Sequence, residues 1–333
     1  ISRDINYLVQ WGGPRPASLF TIHNIQFHGL FDPAVIPAVG LRQDSFTIDG
    51  AEFHGRLSFL KAGIVYSDRL SAVSPTYARE IQGPAVGGGL HGLLAARGGD
   101  LTGILNGVDY GLWDPATDKE IANNYAAARP AGKAANKLAL RRELGLAGDD
   151  KAPLLAVVSR LTEQKGLDLV LAALPKLFAL GCQLAVLGSG DGGLERRFRA
   201  AAATAPDKIA VRLGFDEGLA HRILAASDML LMPSRFEPCG LTQLFALRYG
   251  TLPVVRRTGG LADTVTDAAD GAKGTGFVFD NPTSRALEEA VARGVELYGR
   301  RKSWRARQKN AMKQDFGWDK SAGQYLALYE SLI

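Results

Sequence analysis

Short apolar runs recur along the second half of the chain, at residues 154–158, 184–187, 209–213, 229–232, 252–255 and 276–279. The stretches between them, such as 166–180 and 241–249, place apolar residues at helical spacing. Runs this continuous, alternating with helices, predict a parallel sheet covered on both faces. All strands of such a sheet end at one edge, and ligands bind at that edge. The turns that follow the strands therefore hold the candidate chemistry.

The first part repeats the theme less completely. Residues 18–22 read as a strand ending at His23-Asn24, 56–66 as a helix, 70–73 as a strand and 75–81 as a short helix. A further strand, 103–105, runs into the turn pair Asn106-Gly107. Residues 107–132, with Pro115, Pro130 and several polar side chains, read as a linker, and 321–332 as a final amphipathic helix. The expectation is the back half of an α/β domain followed by a complete one. The chain opens on Ile1 in sequence that already reads as mid-domain, so an N-terminal part is expected to be lacking.

Composition narrows the class. With 333 residues, 46% hydrophobic and 22% charged, the chain is long enough for two ordinary globular domains. No run approaches the roughly 20 apolar residues of a membrane span, and the start lacks a signal-peptide layout. The two cysteines, Cys182 and Cys239, make neither a disulfide framework nor a metal-ligand spacing, which fits a cytoplasmic protein. The net charge of +5 is densest over 300–313. That segment reads as a solvated basic helix, because no aromatic ladder accompanies it, and nucleic acid is not expected as a partner.

Four turns carry candidate chemistry. Arg160 and Lys165 follow the strand 154–158 beside a helix start, where a guanidinium fork and an ammonium suit a diphosphate. As bare spacing, two exposed cations on a loop read equally well. Gly188-Ser189-Gly190-Asp191-Gly192 lacks the full dinucleotide fingerprint, so a tight strand-to-helix turn explains it as well as a phosphate cradle does. Ser234 to Gln243 is more telling. There Glu237 is followed by Pro238, which has no amide donor, then by Cys239 and by Gly240, which lets backbone approach a ligand. Thr258-Gly259-Gly260-Leu261 makes a further small-residue helix start. His23 ends its strand with His28 nearby, and a lone histidine is commonly structural. Cys239 has no adjacent basic partner, which favours packing over a nucleophilic role. No Asp-x-Asp pair or His/Cys cluster is evident, so neither metal nor cofactor is expected.

With these residues laid out, the chain resembles the bacterial glycogen and plant starch synthases over essentially its whole length. The resemblance is carried by Thr21-Ile-His-Asn24, Lys61-Ala-Gly-Ile64, Val73-Ser-Pro-Thr-Tyr77, Asn106-Gly-Val-Asp109 with Trp113, Ser159-Arg-Leu-Thr162 with Gln164-Lys-Gly166, and Glu237-Pro-Cys-Gly-Leu-Thr-Gln243. Arg248-Tyr-Gly-Thr251 and Arg257-Thr-Gly-Gly-Leu-Ala-Asp-Thr264 complete the set.

The resemblance implies an α/β GT-B architecture, two Rossmann-like domains facing a cleft with the first incomplete. Its boundaries would be 1–115 for the acceptor-side domain, 116–317 for the nucleotide-sugar domain and 318–333 for a helix crossing back. It further implies transfer of glucose from ADP-glucose to the non-reducing end of glycogen or another α-1,4-glucan, with retention of configuration. Arg160 and Lys165 would neutralise the diphosphate, and Glu237 and His23 would meet the donor glucose. Cys239, Gly240 and Leu241 would supply backbone contacts, and Thr242 would lie near the distal phosphate. Phe215 would stack on adenine and Asn106 would line the acceptor side.

Many related enzymes that use UDP- or GDP-sugars carry a second Glu eight positions after the first. Phe245 stands there in this chain, which favours ADP-glucose. Two family features have no counterpart in the sequence, a Lys-x-Gly-Gly loop and an upstream Asp, and His91 stands where the family usually has Asp. A UDP-sugar transferase of the same architecture and a non-catalytic glucan- or nucleotide-binding fragment are the competing expectations.

Overall fold

The computed structural model of the protein describes residues 16–147, 151–269 and 271–333. They divide into two compact units, one formed by the residues up to Asn106 together with Asp319–Ile333, the other by Gly107–Trp318.

The first unit holds β1 (Leu19–Ile22), β2 (Leu30–Phe31), β3 (Glu52–Phe53), β4 (Arg56–Ser58), β5 (Arg69–Ala72) and β6 (Leu101–Gly103). β1, β5 and β6 form a parallel sheet in that order, and β2, β4 and β3 form a small antiparallel one. Two expectations are corrected here. The helix expected over 56–66 begins only at Phe59, because Arg56–Ser58 pair with both β2 and β3. Ser58 is extended and its hydroxyl accepts from the Lys61 amide at 3.1 Å, an N-cap that fixes the start. The strand expected over 103–105 runs from Leu101 to Gly103, since Leu101 and Thr102 pair with Leu70 and Ser71. Apolar Ile104 adds one last bond, from its amide to Ala72 O at 2.8 Å. The final helix, Trp318–Glu330, starts three residues ahead of the expected 321, and within the first unit the Ser321 hydroxyl donates to Leu105 O at 2.6 Å.

The second unit contains β7 (Leu154–Val158), β8 (Gln183–Gly188), β9 (Ile209–Leu213), β10 (Met229–Met232), β11 (Leu252–Arg256) and β12 (Phe277–Phe279). They form one parallel sheet ordered β12-β11-β10-β7-β8-β9, the doubly wound Rossmann arrangement with its order reversing between β7 and β10.

Alternation along the strands builds two cores. Leu155, Val157, Leu184, Val186 and Leu231 pack with Val170, Leu174 and Leu177 of the helix Leu167–Ala179 and with Leu287 and Val291 of Ser284–Gly299. Leu154, Ala156, Ala185, Leu187 and Leu230 face the other way, onto Leu140 and Leu144 of Gly132–Leu144 and Leu219, Ile223 and Leu224 of Glu217–Ala226. Because both faces are covered, the strands read as continuous apolar runs in the sequence.

Residues 107–132, expected to be a linker, are instead an arm bound to the second unit. Trp113 stacks on Phe245 and His221, Asp114 pairs with Arg248, and buried Asp118 accepts from Tyr249 and bonds His221. Pro115 and Asp118, which suggested a linker, are buried in this arm. No described helix is long and apolar enough to cross a membrane.

Candidate active site

The loops after β7 and β10 lie against each other, and backbone chemistry holds them there. Gly166 is left-handed at φ +66, and a Cβ on it would fall 2.1 Å from Pro233 O, so only glycine permits the approach. The Arg235 amide donates to Gln164 O at 2.8 Å. The Arg235 guanidinium forms a two-pronged bridge to Asp168, both bonds 2.7 Å. That guanidinium holds the Asp168 carboxyl below its ordinary pKa, against the opposing pull of partial burial.

This double loop brings Lys165 to Glu237. Lys165 Nζ lies 2.6 Å from Glu237 Oε2, and the Ser234 hydroxyl donates to the same oxygen at 2.9 Å. The Glu237 side chain is 5% exposed and that of Lys165 15%, so the pair is largely withdrawn from water. Arg160 is exposed in the same loop, its Nη2 3.4 Å from Gln164 Oε1.

The turn after Glu237 rests on the paired glycines of the next loop. A Cβ on Gly259, which has φ +44, would meet Glu237 O at 1.7 Å, and one on Gly260 would meet Cys239 O at 2.0 Å. Gln243 Nε2 donates to Cys239 O and Gly240 O, both at 2.9 Å, closing the turn. Cys239 is buried and serves packing. Leu241 is exposed, and Thr242 opens the helix Thr242–Arg248.

A cavity of about 430 Å³ opens beside this turn at the C-terminal ends of β7 and β8. Arg160, Ser189, Phe215, Thr242, Phe245 and Trp113 are among the residues that line it. Phe215 is 91% exposed, its ring free to be covered by a ligand. Phe245 and Trp113 lie parallel, ring centres 4.0 Å apart, and Trp113 stacks in turn on His221 at 3.7 Å. The last residue of β8 serves the same crowding: a Cβ on Gly188 would lie 1.8 Å from Ser159 O, and Asp191 caps the following helix through the Leu194 amide.

Of the residues singled out in the sequence, Arg160, Phe215 and Thr242 line one cavity, and Lys165 and Glu237 form an ion pair in the adjoining double loop. Cys239, Gly240 and Leu241 sit on the turn between Glu237 and Thr242 and do not line the cavity. His23, exposed just past β1, and Asn106, half-buried after β6, belong to the first unit. Sequence reasoning gave no role to Ser234, to the Arg235–Asp168 bridge or to the Trp113 stack. Each depends on a partner dozens of residues away or on a loop conformation, and no local spacing announces it. Among the described residues no group of three or more His, Cys, Asp or Glu could hold a metal ion.

Residues 7–96 match the family described as the starch synthase catalytic domain, and residues 141–311 the family of glycosyl transferases group 1. The chain is 52% identical over 331 residues to a glycogen synthase of Paramagnetospirillum magneticum, covering 98% of this chain and 67% of that protein. It is also 52% identical over 328 residues to a glycogen synthase of Rhodospirillum rubrum, covering 98% of this chain and 68% of the relative. It thus spans about two thirds of the length of these relatives. Its structure is similar to the catalytic domain of starch synthase IV from Arabidopsis thaliana bound to ADP and acarbose, with a TM-score of 0.90 and 35% identity over 95% of this chain and 66% of that one. The fold is that of the GT-B glycosyltransferases.

Proposed function

The chain belongs to the glycogen synthase family, and from that premise we propose that it transfers glucose from ADP-glucose to the end of an α-1,4-glucan. The observation that carries the proposal is the edge of the second unit's sheet. An exposed aromatic ring, an exposed guanidinium and a buried Lys–Glu pair follow one another along it, at Phe215, Arg160 and Lys165–Glu237. A nucleotide sugar has an apolar base, an anionic diphosphate and a polar hexose in the same succession.

Phe215 and the Trp113–Phe245 wall take the adenine, where flat apolar faces suit a purine. Arg160 and Lys165 meet the diphosphate, whose charge rises as the bond to the sugar breaks. Lys165 is pre-placed by Glu237, so little reorganisation is required. Glu237, Cys239, Gly240 and Leu241 bind the hexose and its phosphate through the carboxylate and the turn's backbone, and Thr242 serves the distal phosphate. His23 keeps the role of contacting the donor glucose and Asn106 that of lining the acceptor side, both as the family resemblance implies. The donor preference has support from Phe245, which leaves no carboxylate at that point of the wall, and from the ADP-bound relative.

We favour a front-face step for a retaining transfer, since the sequence motifs offer no evident second carboxylate for a double displacement. The anomeric C–O bond to the diphosphate breaks, the acceptor hydroxyl oxygen bonds to the anomeric carbon on the same face, and the hydroxyl proton passes to the departing phosphate oxygen. Trapping of a covalent glucosyl-enzyme would overturn this step.

The testing experiment is glucose transfer to glycogen from ADP-glucose, with UDP-glucose in parallel and Arg160→Ala as control. Transfer from ADP-glucose that is lost in Arg160→Ala is the expected result. Preference for UDP-glucose would overturn the donor assignment. Binding of ADP-glucose without transfer would make this chain a nucleotide-sugar-binding fragment.

A further inference from the structure

A second, larger cavity of about 800 Å³ opens at the opposite edge of the same sheet. Asp228, which precedes β10, and Ala152, which precedes β7, mark that edge through their bonds to Lys137 Nζ. A strand of this length separates it from the Arg160 loop by roughly 15 Å.

The walls come from residues 128–138, from Lys151 and from the helix Arg301–Met312. That helix is the basic segment the sequence presented as a solvated face. Its Trp304, Gln308, Ala311 and Met312 are buried against the sheet's covering layers, while Arg301, Lys302, Arg305 and Lys309 remain exposed and line the cavity. Exposed Arg129 and Lys151 stand among the other lining residues.

The cations of the floor are already used. Lys133 Nζ lies 2.6–3.0 Å from four oxygens, those of Leu224, Ala225, Tyr249 and Thr251. Lys137 pairs with Asp228 at 2.6 Å and reaches the Tyr298 hydroxyl at 3.0 Å. Asp228 is the one acid among the described lining residues, and that ion pair consumes it. Among the described lining residues the rim therefore gathers Arg129, Arg301, Lys302, Arg305 and Lys309 around a concave space whose one carboxylate, Asp228, is already paired. Such an arrangement focuses a positive potential into the cavity and concentrates anions there.

The shape selects among anions. The aromatic rings nearest the charges, Tyr298 and Trp304, are 8% and 3% exposed, which leaves no face for a nucleobase to stack on. The lining is a pocket within one unit, not a stripe along a surface. A neutral glucan would gain nothing from these charges.

We propose that this basic cavity is a second ligand site, distinct from the donor edge, for a compact multiply charged phosphate compound. Arg129, Arg301, Lys302, Arg305 and Lys309 supply the charge. Arg301 is held in place by its guanidinium stacking over the Tyr298 ring, 4.5 Å from the centroid.

The probe is inorganic tripolyphosphate, titrated calorimetrically into the full chain with hydrogen exchange read along it. Slowed exchange across 301–309, and affinity lowered at least about tenfold in Arg305→Glu/Lys309→Glu, are expected. The milder Arg305→Gln/Lys309→Gln pair, checked by circular dichroism, covers the event that charge reversal disturbs folding. Arg160→Ala removes a donor-edge cation and is expected to leave this protection in place, so failure of the donor assignment and failure of this site are distinguishable. Protection confined to 158–166, or binding that both double variants retain unchanged, would overturn the proposal. Duplex DNA and anionic vesicles run at the same salt are expected to bind more weakly than tripolyphosphate. Tighter binding of either, lost in the same variants, would also overturn it.

Discussion

Glu237 accepts two hydrogen bonds on one oxygen, from Lys165 and Ser234, in a side chain almost closed to water. A carboxylate so placed is stabilised only while its cation is present, because a buried ion without its partner costs several kcal/mol. Lys165→Ala is therefore expected to lower kcat on ADP-glucose by about 10²–10³-fold and to destabilise the second unit by about 3 kcal/mol. Steady-state kinetics and urea melts check both halves. A loss of activity with unchanged stability would mean that Glu237 finds another partner. The Asp168–Arg235 bridge acts one residue further out, about a third exposed, so its worth is under about 1 kcal/mol. Its sign with pH follows from the lowered Asp168 pKa, which Arg235 causes. The contribution is complete above the unfolded carboxylate pKa and is lost as pH falls through the lower folded value. Asp168→Asn is thus expected to be less stable than the parent at neutral pH and to converge with it in acid, as urea titrations at successive pH values would show.

At the scale of the element, the site is a matter of loops that touch where only glycine fits. The left-handed Gly259, with Glu237 O 1.7 Å from where a Cβ would stand, can take no side chain unless the Glu237 turn moves. Gly259→Ala is expected to destabilise by about 2–4 kcal/mol and to abolish transfer. If the crystal structure of that variant showed an undisturbed Glu237 turn, the close-contact explanation would be wrong. The arm of 107–132 is the second element that matters. It carries Trp113 into a stack with Phe245 and His221, and so builds one wall of the cavity proposed for the donor. Removing that ring with Trp113→Ala is expected to raise KM for ADP-glucose about tenfold while changing kcat less, because the base does not take part in the reacting bonds.

Over the whole molecule, the second unit places two cavities at opposite ends of one parallel sheet. ADP is expected to slow hydrogen exchange in 158–165, 188–190, 214–217 and 234–245 and to leave 301–309 unaffected. Protection by ADP at 301–309 would instead join the two cavities in one response. Among the described residues the two units have separate sheets, and the second unit's sheet shows the order reversal that sets a ligand site.

What the sequence determined by itself was the parallel sheet, since strands buried on both faces must be written as unbroken apolar runs, and the small-residue turns at its C-terminal edge, where Gly240 and Gly259 stand. It also held the family blocks around Arg160 and Glu237. Tertiary structure decided the rest. Ser58 capping and the pairing of 56–58 with β2 and β3 moved a helix start, because three residues are too few for periodicity to tell strand from helix. Pairing turned a polar, proline-bearing stretch into the arm that supplies Trp113. The pairing of Lys165 with Glu237 joins residues 72 positions apart. The basic cavity required residues 129, 151 and 301–309 to meet at one edge. Side-chain charge is written locally, but the field it makes depends on which distant charges the fold brings together, and no stretch of sequence states that.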